Sequence, residues 1–183
     1  MGNRFVALMF HIDTNRINAR QKLEHMNQLE QWAAVDVIAL EMAEVTLNEA
    51  TAGGNRERSS KARQSIFSEA LATTPGERDM LVAIERILFP DGADDQNKRN
   101  DVEIVFTAAK YGRILVTADG ASKTQPGGIL GNAPALKKTI GVEIMTDEQA
   151  TMAVRKKIQA RDARCVRRHE FNDEPLPDWI GLD

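Results

Sequence analysis

NDVEIVFTAAKYGRILVTADG, residues Asn100–Gly120, passes from a helical pattern through a turn to a strand. Asp101 opens the helix-like run, in which Val102, Val105, Phe106 and Ala109 recur at helical spacing and give one apolar face. Tyr111-Gly112 ends it, because glycine takes the left-handed cap conformation without steric cost. Ile114-Leu115-Val116 reads as a short buried strand, and Thr117-Ala118-Asp119-Gly120 leaves its carboxyl end. A helix opening with one Asp and a strand closing with another can bring two carboxylates to one sheet edge. In open α/β sheets ligands bind at that edge, outside the carboxyl ends of the strands.

The same alternation continues on both sides. Phe5–Ile12 is nearly continuous apolar, which suits a strand buried on both faces, and it stops at Asp13-Thr14-Asn15. From Arg16 onward Ile17, Leu23, Met26, Leu29 and Trp32 predict a helix face. Val35–Leu40 is expected as a second strand, Met42–Ala52 as a helix ending at Gly53-Gly54, and Ala62–Leu71 as another helix. Thr74-Pro75-Gly76-Glu77 supplies an N-cap Thr, a Pro at the first helical position and a capping-box Glu. Asp91–Arg99 and Gly120–Gly131 read as loops, the second near the candidate site. Val142–Met145 is a last strand, Thr146-Asp147-Glu148 begins a long helix, and from Phe171 the chain reads as a tail. Strands alternating with helices predict an α/β fold with a mainly parallel sheet, and 183 residues suit one domain.

Composition narrows the partners. Hydrophobic content of 42% with 28% charged residues is that of an ordinary globular chain. A net charge of −3 confines any nucleic-acid-binding surface to a local basic patch. The single cysteine, Cys165, excludes an internal disulfide and fits a reducing compartment. Phe5–Phe10 is too short for a signal peptide or membrane span, and Val6 stands where a myristoylation signal wants Ser or Thr. A cytoplasmic location, away from membranes, is the expectation.

The acids suggest the chemistry. Asp13 follows the first strand, Asp119 the third, and Glu41, Glu44 or Glu49 lies after the second, while Asp101 comes from the helix between. Four carboxylates in one cleft repel one another unless a cation sits among them, and an oxygen-only set suits Mg²⁺ or Mn²⁺. Each acid also has a structural reading: Asp13 as a helix cap, Asp101 as a first-turn acid, Asp119 as a turn residue. Other hydrolytic designs fit less well. The chain has no GxxxxGK[ST] phosphate loop, no paired cysteines for zinc and no GxSxG elbow. Asn15 stands where an aspartyl phosphatase would carry its second Asp.

These motifs together resemble the PIN-domain ribonucleases. Asp13-Thr14-Asn15 after an apolar strand is similar to the family's opening signature. Val45-Thr46-Leu47-Asn48-Glu49-Ala50 resembles its acidic helix motif, with Ala50 where Leu is usual. Asp101, Ala108-Ala109 and Val116-Thr117-Ala118-Asp119 resemble its third block, with the two Asp residues 18 positions apart. The resemblance covers about residues 5–146. It implies a three-layer α/β/α fold and metal-dependent hydrolysis of RNA phosphodiesters, with Asp13, Glu49, Asp101 and Asp119 holding one or two Mg²⁺ or Mn²⁺ ions. Glu44 is the alternative to Glu49; five positions apart, the two sit about 140° apart round a helix and cannot share a face. Thr117 is read as orienting a carboxylate or as a plain strand-end Thr, Asn15 as touching a bound water or phosphate or as making an Asx-turn, and His11 as a satisfied core histidine. The alternative function is a catalytically inactive PIN-like module that binds RNA or protein. Implied partners are an RNA substrate, an antitoxin protein and a second copy of the chain.

On this reading residues 1–146 form the nuclease domain, 147–170 a basic C-terminal helix and 171–183 a tail. Between Arg155 and Arg168 the helix carries seven basic residues against Asp162, a local charge of +6. Lys157, Arg161, Arg164 and Arg168 follow a spacing that aligns them in one stripe, expected either to contact an RNA backbone or to be ordinary solvated surface.

Overall fold

A computed structural model describes residues 4–52, 54–120 and 127–183. The first strand, β1, is Met9–Ile12, shorter than the apolar run because Ala7 turns at φ 57°. A 3-10 turn, Thr14–Arg16, follows, and α1 spans Glu24–Ala34 instead of starting at Arg16. Buried Asn18 explains the delay: it accepts from the Leu23 N–H at 3.1 Å and donates to Asn27 at 2.6 Å, fixing residues 17–23 as a loop. Ile17 and Leu23 still pack on the core.

β2 is Ala39–Ala43, later than the predicted Val35–Leu40. Val35 and Asp36 finish α1 instead. Asp36 takes φ 59°, its N–H meets the Ala33 carbonyl, and the Val37 N–H reaches back to Trp32, the double bond that closes a helix in the Schellman manner. α2 is Glu44–Ala52 and α3 is Arg56–Ala62. The helix expected over Ala62–Leu71 is absent; its place is taken by β3, Ile66–Ser68, paired in register with Glu41–Ala43. α4, Pro75–Leu88, has both halves of the predicted capping box.

α5 is Gln96–Lys110 and begins more than a turn before Asp101, because the Asp95 side chain caps it by accepting from the Lys98 N–H at 2.9 Å. Gly112, at φ 61°, closes it, and β4 is Ile114–Val116 as predicted. α6, Gly128–Ile140, occupies the end of the expected Gly120–Gly131 loop, of which residues 121–126 lie outside the described residues. β5 is Ile144–Met145, and α7, Asp147–Asn172, starts with a second capping box, Thr146 with Gln149.

The sheet runs β3-β2-β1-β4-β5, every pair parallel. Strand residues alternate between two cores. Phe10, Ile12 and Val116 meet Met26, Leu29 and Trp32 of α1 and Ala150, Val154 and Ile158 of α7. Leu115 faces the other way, onto Ile84 and Leu88 of α4, Val105 and Phe106 of α5 and Leu136 of α6. Helices on both faces of a parallel sheet make the three-layer α/β/α fold that the PIN-domain resemblance implies. Past α7 the last residues fold back. The Asp183 carboxylate is 1% exposed and accepts from Arg4 and from Arg161, which donates at 2.8 Å. Arg161 therefore points inward and leaves the predicted stripe of four. Among the described residues no helix is long and apolar enough to cross a membrane.

Candidate active site

In this strand order the chain turns from one side of β1 to the other, so β1 and β4 are neighbours whose connections leave in opposite directions. That is the switch point of an open α/β sheet, where a crevice forms outside the carboxyl ends. Asp13 is the first residue past β1, and its N–H donates to the Val116 carbonyl of β4 at 3.0 Å. Asp119 leaves β4, while Glu49 comes from α2 and Asp101 from α5. All four line one cleft of about 790 Å³.

Most of these carboxylates are held. Asp13, 4% exposed, accepts from the Thr117 hydroxyl at 2.5 Å and the Asn15 amide at 2.6 Å, and makes no side-chain cap bond to the turn after it. Asn15 also accepts from the Ala118 N–H at 2.9 Å, and the Thr117 oxygen from the Asp119 N–H at 2.9 Å. Thr117 and Asn15 thus clasp the ends of β1 and β4 around Asp13. Glu49 accepts from the Thr14 hydroxyl and from the Asn100 amide at 2.7 Å. Asp119 accepts from the Ile129 N–H at 2.8 Å, and its carbonyl from the Leu130 N–H at 3.0 Å, so it caps α6 from outside. Asp101 lies in the second turn of α5, where a first-turn dipole role does not apply, and its carboxyl accepts no hydrogen bond from the described residues.

The electrostatics follow. Burial, then the charges of Asp13, Asp119 and Glu49, push the Asp101 carboxyl up to about 8. Burial also raises Asp13, against the lowering effect of the Thr117 hydroxyl. Both shifts are those of carboxylates crowded with like charge in a poorly hydrated place. Arg58 of α3, whose guanidinium donates to the Thr14 carbonyl, is the basic side chain on the cleft wall among the described residues.

Arg58, Thr14 and Asn100 have no motif that picks them out in the sequence; Asn100 only precedes Asp101, and Thr14 only lies inside Asp13-Thr14-Asn15. Glu44 is exposed at the start of α2 and does not line the cleft. Glu41 lies inside β2 and takes a forked pair of bonds from Arg113 at 3.0 and 3.1 Å. His11, 1% exposed, meets Glu41 at 3.3 Å through Nε2, but its buried Nδ1 has no partner among the described residues, so it is a core histidine satisfied there on one side only. Burial holds it neutral, with its pKa down at about 4.

The donor chemistry fits a hard divalent cation, whose charge would offset the repulsion that raises Asp101. Among the described residues no three Asp, Glu, His or Cys side chains are grouped closely enough to hold a metal ion between them. Mg²⁺ and its like are commonly held by one or two carboxylates, keep several waters and complete their shell with substrate phosphate, so an open set of acids is compatible with them.

No protein-family model matches the chain, and no curated protein matches it. Among solved structures it is similar to VapBC2 from Rickettsia felis bound to a DNA fragment from their promoter, at 16% identity over 76% of this chain and 98% of that one, with a TM-score of 0.47. It is also similar to DNA-bound VapBC from Salmonella typhimurium, with 16% identity, the same two coverages and a TM-score of 0.49.

Proposed function

We propose that this chain is a PIN-like ribonuclease that hydrolyses RNA phosphodiesters with Mg²⁺ or Mn²⁺ held by Asp13, Glu49, Asp101 and Asp119. The observation that carries the reading is the Asp101 carboxyl, brought by α5 into a cleft with acids from three other elements and pushed up to about 8 by burial and by their charge. Evolution of four costly carboxylates in one crevice makes physical sense when a cation joins them.

A divalent ion bound there would lower the pKa of a water to make a nucleophile and offset charge on the phosphate. The chain's own residues do the rest. Thr117 and Asn15 hold the Asp13 carboxylate in one orientation, and Thr14 and Asn100 do the same for Glu49. Arg58 places a guanidinium on the wall of the cleft, where it can pair with a phosphate that the acids alone would repel.

The test is cleavage of a labelled RNA with and without Mn²⁺. Cleavage that needs Mn²⁺ and falls about 100-fold or more in Asp13→Asn and in Glu49→Gln is the expected result. Full activity in either variant would remove that residue from the site, and Glu44→Gln losing activity while Glu49→Gln keeps it would exchange the two. The open arrangement of the acids favours a second reading, a module that binds RNA or protein without cutting. RNA binding with no cleavage under any divalent ion would establish it. The resemblance also implies an antitoxin-type partner and self-association, which co-purification and light scattering would report.

A further inference from the structure

Six cations of α7 stand exposed with no ion-pair partner among the described residues: Arg155, Lys156, Lys157, Arg164, Arg167 and Arg168. The seventh, Arg161, is buried, neutralised by Asp183 at 2.8 Å and Asp162 at 2.7 Å, and lies over the Trp179 ring with 4.5 Å to its centroid. Beside it opens a cup of about 270 Å³, whose walls include Arg164, Arg168, His169, Trp179 and Phe5. Cations and aromatic rings thus share one small concavity. Lys157, Arg164 and Arg168 continue its edge along a single face of α7, the latter two one turn apart, about 5–6 Å between side-chain origins.

This surface is remote from the acids. Arg16, next to the cleft, pairs with Asp147 at the start of α7 at 3.3 Å. α7 then runs antiparallel to the strands, and Arg164 lies about 25 Å further along it at the rise of an α-helix. The contact of Arg161 with the Arg4 carbonyl, ahead of β1, places this end at the opposite edge of the sheet.

We propose that the cup and the Lys157–Arg164–Arg168 row form a second binding site, for single-stranded RNA, outside the cleft. The arginines pair with phosphates, and a base stacks in the cup against Trp179. Single strands are bound in this way, by a cationic track interleaved with aromatic platforms, and without need of sequence. The choice of RNA rests on the ribonuclease reading of the cleft. An acidic protein surface would use the cations but gain nothing from the aromatic wall of the cup. The site answers a difficulty of that reading: a chain of net charge −3 with an acidic cleft repels its own substrate, and a cationic hold on the far edge offsets this.

The experiment measures binding of fluorescein-labelled oligouridine in EDTA, where a failure of cleavage has no bearing. Wild type is compared with Lys157→Gln/Arg164→Gln/Arg168→Gln and with a control of equal charge, Arg155→Gln/Lys156→Gln/Arg167→Gln, which alters other faces of α7. The row variant is expected to bind about tenfold or more weakly near 50 mM salt, and its salt slope to shrink by about 2, at roughly 0.7 per phosphate contact. The control variant keeps most of the wild-type affinity. Trp179 emission is quenched by the RNA, while Trp32, 4% exposed in the core, contributes a constant background. Equal losses in both variants would reduce the site to diffuse charge and overturn it, as would unchanged affinity in the row variant. A row variant that loses only polyglutamate binding would assign the face to an acidic protein instead.

Discussion

A carboxyl group surrounded by carboxylates must either keep its proton or strain the fold, and Asp101 is the residue on which this falls. Its raised pKa means that the folded chain holds a proton near neutrality that the unfolded chain has released, which costs stability at pH 7. Asp101→Asn keeps the shape and removes the charge. The variant is expected to gain about 1 kcal/mol at pH 7 in the absence of divalent ions, allowing for solvent screening, or roughly 2–4 °C in melting midpoint, while RNA cleavage is lost. Thermal melts in EDTA with a parallel cleavage assay check both halves; a destabilised variant would mean that the carboxyl does not carry the repulsion. A second residue acts through backbone alone. Gly128 sits at φ 54° where α6 approaches the β4 exit, and a Cβ there would come within 2.0 Å of the Gly120 carbonyl oxygen and 2.7 Å of that of Asp119. Gly128→Ala must push α6 off Asp119, so both stability and cleavage are expected to fall, by about 2 kcal/mol or more in chemical denaturation. At this scale the acids were legible because each sits at a strand exit or on a helix in a recognisable order. Arg58, Thr14 and Asn100 were not, since a bond such as Asn100 to Glu49 joins positions 51 residues apart and leaves no local pattern.

Elements were legible where their ends carry their own chemistry. The α4 start is written into Thr74-Pro75-Gly76-Glu77, and the structure makes both reciprocal bonds, with Glu77 also meeting Lys110 of α5 at 3.0 Å. The elements that escaped the sequence are those whose ends or pairing depend on the rest of the fold. Val35 and Asp36 look like a strand but close α1, because Asp36 tolerates the left-handed region. Residues 66–68 fall in a stretch that reads as helical in the sequence, yet pairing with β2 makes them an edge strand, an instance of tertiary context overriding local preference. The start of α6 is hidden by Gly128, Gly131 and the internal Pro134. The α4–α5 junction gives an element-scale prediction. Hydrogen bonds from the Thr74 and Thr73 backbone and from Lys110 hold the Glu77 carboxylate down at about 2. A carboxylate with a depressed folded pKa contributes stability that is present above its unfolded value, near 4.5, and is lost as pH falls towards 2. Glu77→Gln can still cap but does not titrate, so its melting midpoint should change less than wild type between pH 4.5 and 2. Parallel slopes over that window would show that the network adds nothing. Thr74→Ala, which removes the cap itself, should cost about 1 kcal/mol at any pH.

On the scale of the whole molecule, charge is sorted along α7: acids gather where it begins, at the carboxyl ends of the strands, and cations with no ion-pair partner among the described residues gather towards its other end. The two ends lie about 25 Å apart by helix rise, more than twice the screening length of about 10 Å in 0.1 M salt, and share no side chains. Their energetics should therefore add. A ligand that binds only the folded chain stabilises it by mass action, about 2.7 kcal/mol at 100 times its dissociation constant, or roughly 5–11 °C for a chain of this size. Mn²⁺ is thus expected to raise the melting midpoint of the wild type, and EDTA to reverse the rise. In Asp13→Asn the rise should shrink or vanish, because the repulsion that a bound ion would relieve and one of its proposed oxygen donors are both gone. In Lys157→Gln/Arg164→Gln/Arg168→Gln it should stand unchanged, because those cations face away from the cleft. A Mn²⁺ shift of equal size in Asp13→Asn would place the ion elsewhere, and a shift lost in the α7 variant would couple the two ends through the body of the fold.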